Sequence, residues 1–98
     1  MGIKFTWSRA KANRNLIKHG VSFEAARRVF ADPYLIVVED REDERGEMRY
    51  HAVGYGAKPQ ILLTITFVDR STHEQGIIHF ISARKADDYE QSAYSDQF

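Results

Sequence analysis

Three side chains in the C-terminal half of the chain are suited to acid–base and phosphate chemistry: Arg70, His79 and Arg84. Histidine takes up and releases a proton near neutral pH. Arginine presents a planar fork of donors that matches the oxygens of a phosphate group. Metal-free cleavage of RNA needs a base for the 2′-hydroxyl, an acid for the leaving 5′-oxygen, and cations that stabilise the charge on phosphorus. These three residues therefore indicate a site that cleaves a phosphodiester bond.

Each of the three also has an ordinary structural interpretation. Arg70 fits a loop arginine, and His79 fits a hydrogen-bonded histidine within a sheet. Arg84 fits a salt bridge to a nearby aspartate, Asp87 or Asp88, or a cap on a carbonyl at the end of a strand. The sequence leaves both interpretations open at all three positions.

Two predicted strands must position these residues. Residues 61–68 and 77–82 are rich in β-branched and apolar side chains, and Arg70 and Arg84 follow their ends. If the strands are antiparallel neighbours, their C-terminal ends lie at opposite edges of the sheet, and the two arginines are about 16 Å apart. We expect loop reach and the long side chains to bring both guanidinium groups to one phosphate.

The remaining pattern predicts an α+β fold. Ser8 and Gly20 are suited to begin and end a helix over residues 9–19, and Ser22 begins a second helix that stops at Asp32-Pro33. Further strands are predicted at 34–39 and 47–55, a last helix at 83–94, and a short strand or ordered arm at 3–7. We therefore expect one domain over residues 1–98: a small antiparallel sheet of about four strands, two N-terminal helices and one C-terminal helix.

Composition excludes several classes of site. The 98 residues include no cysteine, so disulfides and thiolate metal sites are excluded. The four histidines lack metal-ligand spacing, and neither a metal nor a cofactor is expected. The N-terminus lacks the apolar run of a signal peptide, and no apolar stretch approaches the roughly 18 residues of a membrane span. These observations predict a cytoplasmic protein.

The net charge of zero hides a strong asymmetry. Residues 1–30 carry seven Lys or Arg against the single acid Glu24, whereas residues 31–50 carry seven acids against three arginines. The basic block can attract an anionic partner, either a nucleic acid or an acidic segment of a protein. The alternative is that the basic block is an ordinary solvated helix face, and that the acidic segment lies near it in the folded protein and compensates its charge. The candidate docking residues are Arg14, Lys18, Arg27 and Arg28.

Several motifs of the chain resemble those of the BrnT toxin family over nearly the full length. Lys18-His19-Gly20-Val21 and Ile81-Ser82-Ala83-Arg84-Lys85-Ala86 are the most specific. The other matching residues are Phe5-Thr6-Trp7, Lys11, Asn15, Phe23-Glu24-Ala25, Val29-Phe30-Ala31-Asp32-Pro33, Glu47-Met48-Arg49, Gly54, Glu90 and Tyr94. Two positions depart from the family pattern: His79 stands where an arginine is usual, and Ser8 stands where an aspartate is common.

The resemblance implies a RelE-like fold and the toxin half of a type II toxin–antitoxin pair. It implies a metal-independent ribonuclease that cleaves RNA and blocks translation. A BrnA-like antitoxin would bind the toxin, and only the complex of the two would bind operator DNA. The alternative is a non-catalytic, toxin-like binding module that acts with its antitoxin in transcriptional autoregulation.

The resemblance also implies roles for individual residues. The functional arginines of the family fall on Arg70 and Arg84. His79, in place of the family arginine, either transfers protons or weakens phosphate binding. The residues expected to bind the substrate are Lys58, Lys85, Glu90 and Tyr94, and the last three are expected to orient either the helix or the substrate.

Overall fold

The computed structural model describes residues 2–57 and 61–98, which form an α+β fold. The five strands are β1 (Ile3–Thr6), β2 (Ile36–Glu42), β3 (Met48–Tyr55), β4 (Leu62–Asp69) and β5 (Gly76–Lys85). The helices are α1 (Arg9–His19), α2 (Phe23–Ala26), which continues into a 3-10 helix (Arg27–Ala31), and α3 (Asp88–Ser95). The predicted two N-terminal helices and one C-terminal helix are confirmed.

The sheet is mixed and has the strand order β1-β5-β4-β3-β2. Its last four strands form an antiparallel meander, as short loops between consecutive strands favour. The prediction of an all-antiparallel sheet of about four strands is wrong, because Ile3–Thr6 pairs in parallel with the start of β5. The N-terminal strand therefore lies next to the last strand of the chain.

Helix α1 continues along the edge of β5 from the point where β1 ends. The Ser8 hydroxyl accepts a hydrogen bond from the Lys11 N–H at 3.3 Å, and Gly20 ends the helix with a left-handed φ of 70°. Between these caps, the buried Asn15 amide donates to the Ala83 carbonyl at 2.8 Å and accepts from the Ala83 N–H at 3.0 Å. One side chain thus replaces a strand partner at this edge.

An aromatic core lies between the sheet and the N-terminal helices. Phe23 and Phe80 are completely buried, and their rings meet edge to face with centroids 5.7 Å apart. Trp7 stacks on Phe80 at 5.6 Å. Burial of large aromatic side chains supplies much of the apolar stabilisation in a domain of this size. Because this core occupies one face of the sheet, it determines which side chains of each strand point to the other face.

The start of the last helix differs from the prediction of a helix over residues 83–94. Strand β5 continues to Lys85, and Arg84 lies opposite Thr64 within the sheet. Asp87 begins α3 through a capping box with Glu90, whose backbone N–H donates to the Asp87 carboxylate at 2.8 Å. Arg84 is therefore a strand residue and does not lie at a junction between strand and helix. In the described part of the chain, no helix has both the length and the apolar character to cross a membrane.

Candidate active site on the open face of the sheet

The sheet face opposite the aromatic core carries most of the candidate residues. In β4, Leu63, Ile65 and Phe67 point into the core, so Thr64, Thr66 and Val68 point the other way. We call this second side the open face. Helix α3 packs at one end of it, against Val53 and Leu62. The centre of the open face consists of Arg49, His51, Thr66, Val68, His79 and Ser82.

These six residues form two rows across the three central strands. In the first row, Val68 lies opposite both Arg49 and His79. In the second row, Thr66 lies opposite both His51 and Ser82. Two strand spacings put the outer residues of each row about 10 Å apart. Between the outer residues of the two rows lies a shallow surface, which we call the floor, with basic side chains on both sides.

His79 is held by the parallel edge strand. Thr6 of β1 lies opposite it, and the Thr6 hydroxyl is 2.8 Å from His79 Nδ1. This hydrogen bond orients the ring and leaves Nε2 as the nitrogen for a substrate. Burial lowers the pKa of His79 below its usual 6.5, and the positive charges of Arg70 and Lys11 lower it further. The imidazole is accordingly neutral at pH 7, as a general base must be.

Arg70 lies at the same end of the sheet as His79. It continues the open-face alternation of β4, and its backbone N–H donates to the Ile77 carbonyl at 2.9 Å. Its Nε and Nη2 donate to the two oxygens of Glu47 at 3.0 and 3.1 Å. The hydrogen bond to Glu47 raises the pKa of Arg70, so the guanidinium is charged. The arginine side chain is 40% exposed, which leaves it accessible to an anion.

Arg84 has a different environment at the other end of the sheet. Its Nη1 and Nη2 donate to the two oxygens of Glu90 at 2.7 and 2.9 Å. Burial opposes the Glu90 charge, but the bonds from Arg84, the Asp87 N–H and the Thr64 hydroxyl lower the pKa of Glu90 to about 2. This network ties β5 and β4 to the first turn of α3.

The structure does not bring Arg70 and Arg84 together. Arg84 lies opposite Thr64, six residues from Arg70 along β4, which corresponds to about 20 Å. Each guanidinium is also bound to a glutamate at its own end of the sheet. The expectation that both arginines contact one phosphate is therefore wrong. Antiparallel pairing separates the two strand ends, and neither side chain extends toward the other.

Three of the four predicted substrate-binding residues are described, and these three do not surround His79. Lys58 lies outside the described residues, and Lys85 is exposed at the end of β5, opposite Leu63. Tyr94 is buried in α3, and its hydroxyl donates to Asp32 Oδ2 at 2.7 Å. Together with Glu90, Tyr94 holds α3 in place. An orienting role toward the helix fits both residues.

The predicted docking residues lie on the helical side of the sheet. Arg14 and Lys18 are exposed on α1, beside Ile17, which is 86% exposed. Arg27 and Arg28 line a groove of about 780 Å³ between the 3-10 helix and β1. The Arg27 guanidinium lies 5.5 Å from the centre of the Phe5 ring, a cation–π contact.

Sequence reasoning gave too little weight to two residues of β3, Arg49 and His51. The alternation of residues 47–55 places both on one face, and this was the available signal. Arg49 Nε is buried and has no hydrogen-bond partner among the described residues, while Arg49 Nη2 lies 4.0 Å from an Asp43 oxygen. A buried guanidinium nitrogen without a partner is uncommon, and the Arg49 side chain as a whole is 25% exposed, so a ligand can reach part of it.

The open face therefore offers imidazole, guanidinium and hydroxyl groups. Among residues 2–57 and 61–98, no three histidine, aspartate or glutamate side chains lie close enough together to hold a metal ion. The groups that are present suit proton transfer and the binding of a phosphate.

Comparison with known families agrees with this chemistry. The model of the family described as "ribonuclease toxin, BrnT, of type II toxin-antitoxin system" matches residues 7–90, which includes every residue of the open-face centre. A search of curated proteins gives no match. Because the match spans most of the 98 residues, the chain belongs to the BrnT family of ribonuclease toxins of type II toxin–antitoxin systems.

Proposed function

We propose that the chain is a metal-independent endoribonuclease that cleaves RNA on the open face of its sheet and thereby inhibits translation. Membership of the BrnT family supports a ribonuclease. The environment of His79 supports this location for the site. Thr6 orients the imidazole, and burial together with the cations Arg70 and Lys11 lowers its pKa. We also propose that the fold is RelE-like.

In the proposed reaction, His79 Nε2 accepts the proton of the ribose 2′-hydroxyl. The 2′-oxygen attacks phosphorus, the bond from phosphorus to the 5′-oxygen breaks, and the 5′-oxygen takes up a proton from the site or from water. The products are a cyclic phosphate and a 5′-hydroxyl. Arg70 and Arg49 stabilise the charge on the phosphate oxygens. Arg70 exchanges Glu47 for the phosphate at little cost, because an exposed ion pair is worth about 0–1 kcal/mol.

Arg84 has another role in this proposal. Its two bonds to Glu90 hold α3 against the sheet, at the opposite end from His79. The phosphate role first expected for Arg84 therefore passes to Arg49, which lies in the same row as His79.

The proposal is tested by inducing the chain in a bacterial host and mapping new RNA ends by primer extension. Wild type is expected to produce new 5′-hydroxyl ends and to arrest growth. His79→Asn is expected to reduce cleavage about 10²–10⁴-fold, the usual contribution of a general base. His73→Asn changes an exposed loop histidine and is the matched control. If wild type produces no new ends at any expression level, the non-catalytic binding module is the better description.

A type II toxin has an antitoxin partner, and we propose that this partner is BrnA-like and docks on the helical side. The support is the combination of exposed cations and exposed apolar area there: Arg14, Lys18 and Ile17 on α1, and Arg28 beside the groove. Operator DNA would bind only to the complex. Adding the antitoxin gene to the induction experiment is expected to abolish the new RNA ends.

A further inference from the structure

His51 lies across the central strand from His79, on the same open face. Thr66 is its neighbour on β4, and Val68, two residues along, is the neighbour of His79. Two strand spacings and two residues along the strand put the two Cα atoms about 12 Å apart. A phosphodiester with a hydrogen bond on each side can span the gap between two imidazoles whose Cα atoms are this far apart.

Each of the two rings is oriented by a residue of an outer strand. Thr6 of β1 contacts His79 Nδ1 at 2.8 Å. Asp40 of β2 lies with Oδ2 at 3.5 Å from His51 Nε2. Each ring therefore has one nitrogen near a polar group of an edge strand, and its other nitrogen makes no hydrogen bond within the described part of the chain. The His51 side chain is 25% exposed and can be reached from solvent.

The floor between the two histidines is also polar. Thr66 and Ser82 lie opposite each other in the His51 row, and both are half-buried. Hydroxyl groups at this position can donate to phosphate oxygens without adding charge.

We propose that His51 is a second catalytic residue, the general acid that protonates the leaving 5′-oxygen. This inference rests on the proposed ribonuclease function. As His79 takes the 2′-hydroxyl proton, the 2′-oxygen binds phosphorus, the bond to the 5′-oxygen breaks, and His51 Nδ1 supplies the proton to that oxygen. One proton is taken up and one is released, so the step needs no other reactant. Exchange with water then restores both rings.

Charged or titratable groups lie on three strands around His51. Asp40 lies on β2, Arg49 lies two residues away on β3, and His79 and Arg84 lie on β5 in the flanking rows. Arg84 is neutralised by Glu90, and Arg49 faces the phosphate in the proposed complex. Asp40 is therefore the carboxylate that contacts the His51 ring, at 3.5 Å.

The test uses an RNA oligonucleotide with the site mapped in the induced cells, with and without added ribosomes. A second oligonucleotide carries sulfur in place of the 5′-bridging oxygen. A thiol has a pKa near 8.5, so its thiolate leaves without help from an acid. His51→Asn and His51→Gln are compared with His79→Asn, and His73→Asn is the control. Circular dichroism and thermal unfolding check that each variant is folded.

Loss of the acid is expected to slow cleavage of ordinary RNA about 10²–10⁴-fold and to leave cleavage of the sulfur substrate within about fivefold of wild type. His79→Asn is expected to cleave both substrates slowly, because the base is needed for either leaving group. Equal losses on both substrates, or wild-type rates from a folded His51 variant, would overturn the assignment of His51. If wild type cleaves neither substrate, the ribonuclease proposal itself fails, and the assignment fails with it.

Discussion

Arg84 and Glu90 form a two-pronged ion pair, with Nη1 to Oε1 at 2.7 Å and Nη2 to Oε2 at 2.9 Å. The same carboxylate accepts the Thr64 hydroxyl at 2.8 Å and the Asp87 N–H at 2.9 Å. One side chain thus joins two strands to the first turn of α3. An arginine with the sequence context of a catalytic cation is thus bonded to the C-terminal helix.

Replacing Arg84 with methionine is expected to lower stability more than catalysis. The change keeps much of the side-chain bulk but leaves the Glu90 carboxylate, only 13% exposed, without its main partner. We expect a loss of about 1–3 kcal/mol in the free energy of unfolding, measured with urea. The folded protein should cleave RNA within a few-fold of wild type. A fully stable but inactive variant would return Arg84 to the catalytic site.

Replacing Arg70 with glutamine is expected to lower catalysis more than stability. Its ion pair with Glu47 is exposed, so the free energy of unfolding should change by no more than about 1 kcal/mol. Loss of a cation that stabilises the transition state should reduce single-turnover cleavage about 10²–10³-fold. The Arg84 variant is the natural comparison. If Arg70→Gln cleaves RNA at the wild-type rate, phosphate binding at this end of the sheet is disproved.

The acidic limb of the pH–rate profile is expected to report His79. Burial, Arg70 and Lys11 all lower the pKa of His79, so cleavage should fall only when the pH drops below 6.5. Lys11→Gln removes one cation, and the limb should move to higher pH because the proton is then held more tightly. Arg14→Gln changes an exposed arginine on the same helix and should leave the limb in place. If the acidic limb of the Lys11 variant coincides with that of wild type, a group other than His79 determines it.

Acid is expected to destabilise the protein through Glu90. Its pKa in the folded state is about 2, against the usual 4.5. A lowered pKa means that the stabilisation is complete above pH 4.5 and is lost as the pH falls toward 2, with a total of at most about 3 kcal/mol. Glu90→Gln should be less stable than wild type at pH 7 and should lose less stability between pH 4.5 and 2. If the free energies of unfolding of the two proteins change equally between pH 4.5 and 2, this account is contradicted.

Antitoxin binding is expected to depend on the cations of α1. Arg14→Glu combined with Lys18→Glu reverses two exposed charges outside the open face. We expect affinity for the antitoxin, measured by calorimetry, to fall about tenfold or more at low salt and less at high salt, because salt screens exposed charges. RNA cleavage by the free toxin should not change. Arg45→Glu in the loop between β2 and β3 is the matched control. Unchanged affinity in the double variant would place the partner elsewhere.

Local signals predicted the start and end of α1 well. Ser8 caps the helix through the Lys11 N–H, and Gly20 ends it through a left-handed φ. Both effects depend on residues within four positions of each other, so they can be read from the chain alone. The Asp87–Glu90 capping box is equally local. It was available as a signal for the start of α3, whereas the predicted helix began at residue 83.

The candidate site could be predicted only in part. The residue types at Arg70 and His79 indicated phosphate chemistry, and the alternation of β3 placed Arg49 and His51 on one face. Their neighbours could not be predicted, because Val68 and Thr66 meet them through strand register. Register depends on the packing of the whole aromatic core and on the bulge that β5 contains opposite Thr66 and Phe67.

By itself, the sequence determined the helices at the N-terminus, the strand-rich centre, the family and the chemical types available for catalysis. The tertiary structure alone decided which partner each charged group has. Glu47 and Glu90 lie 23 residues before Arg70 and six residues after Arg84, and only the folded sheet separates the two arginines and binds each to its own carboxylate. Charge pairing acts over a few ångströms in space, and separation along the chain does not fix that distance.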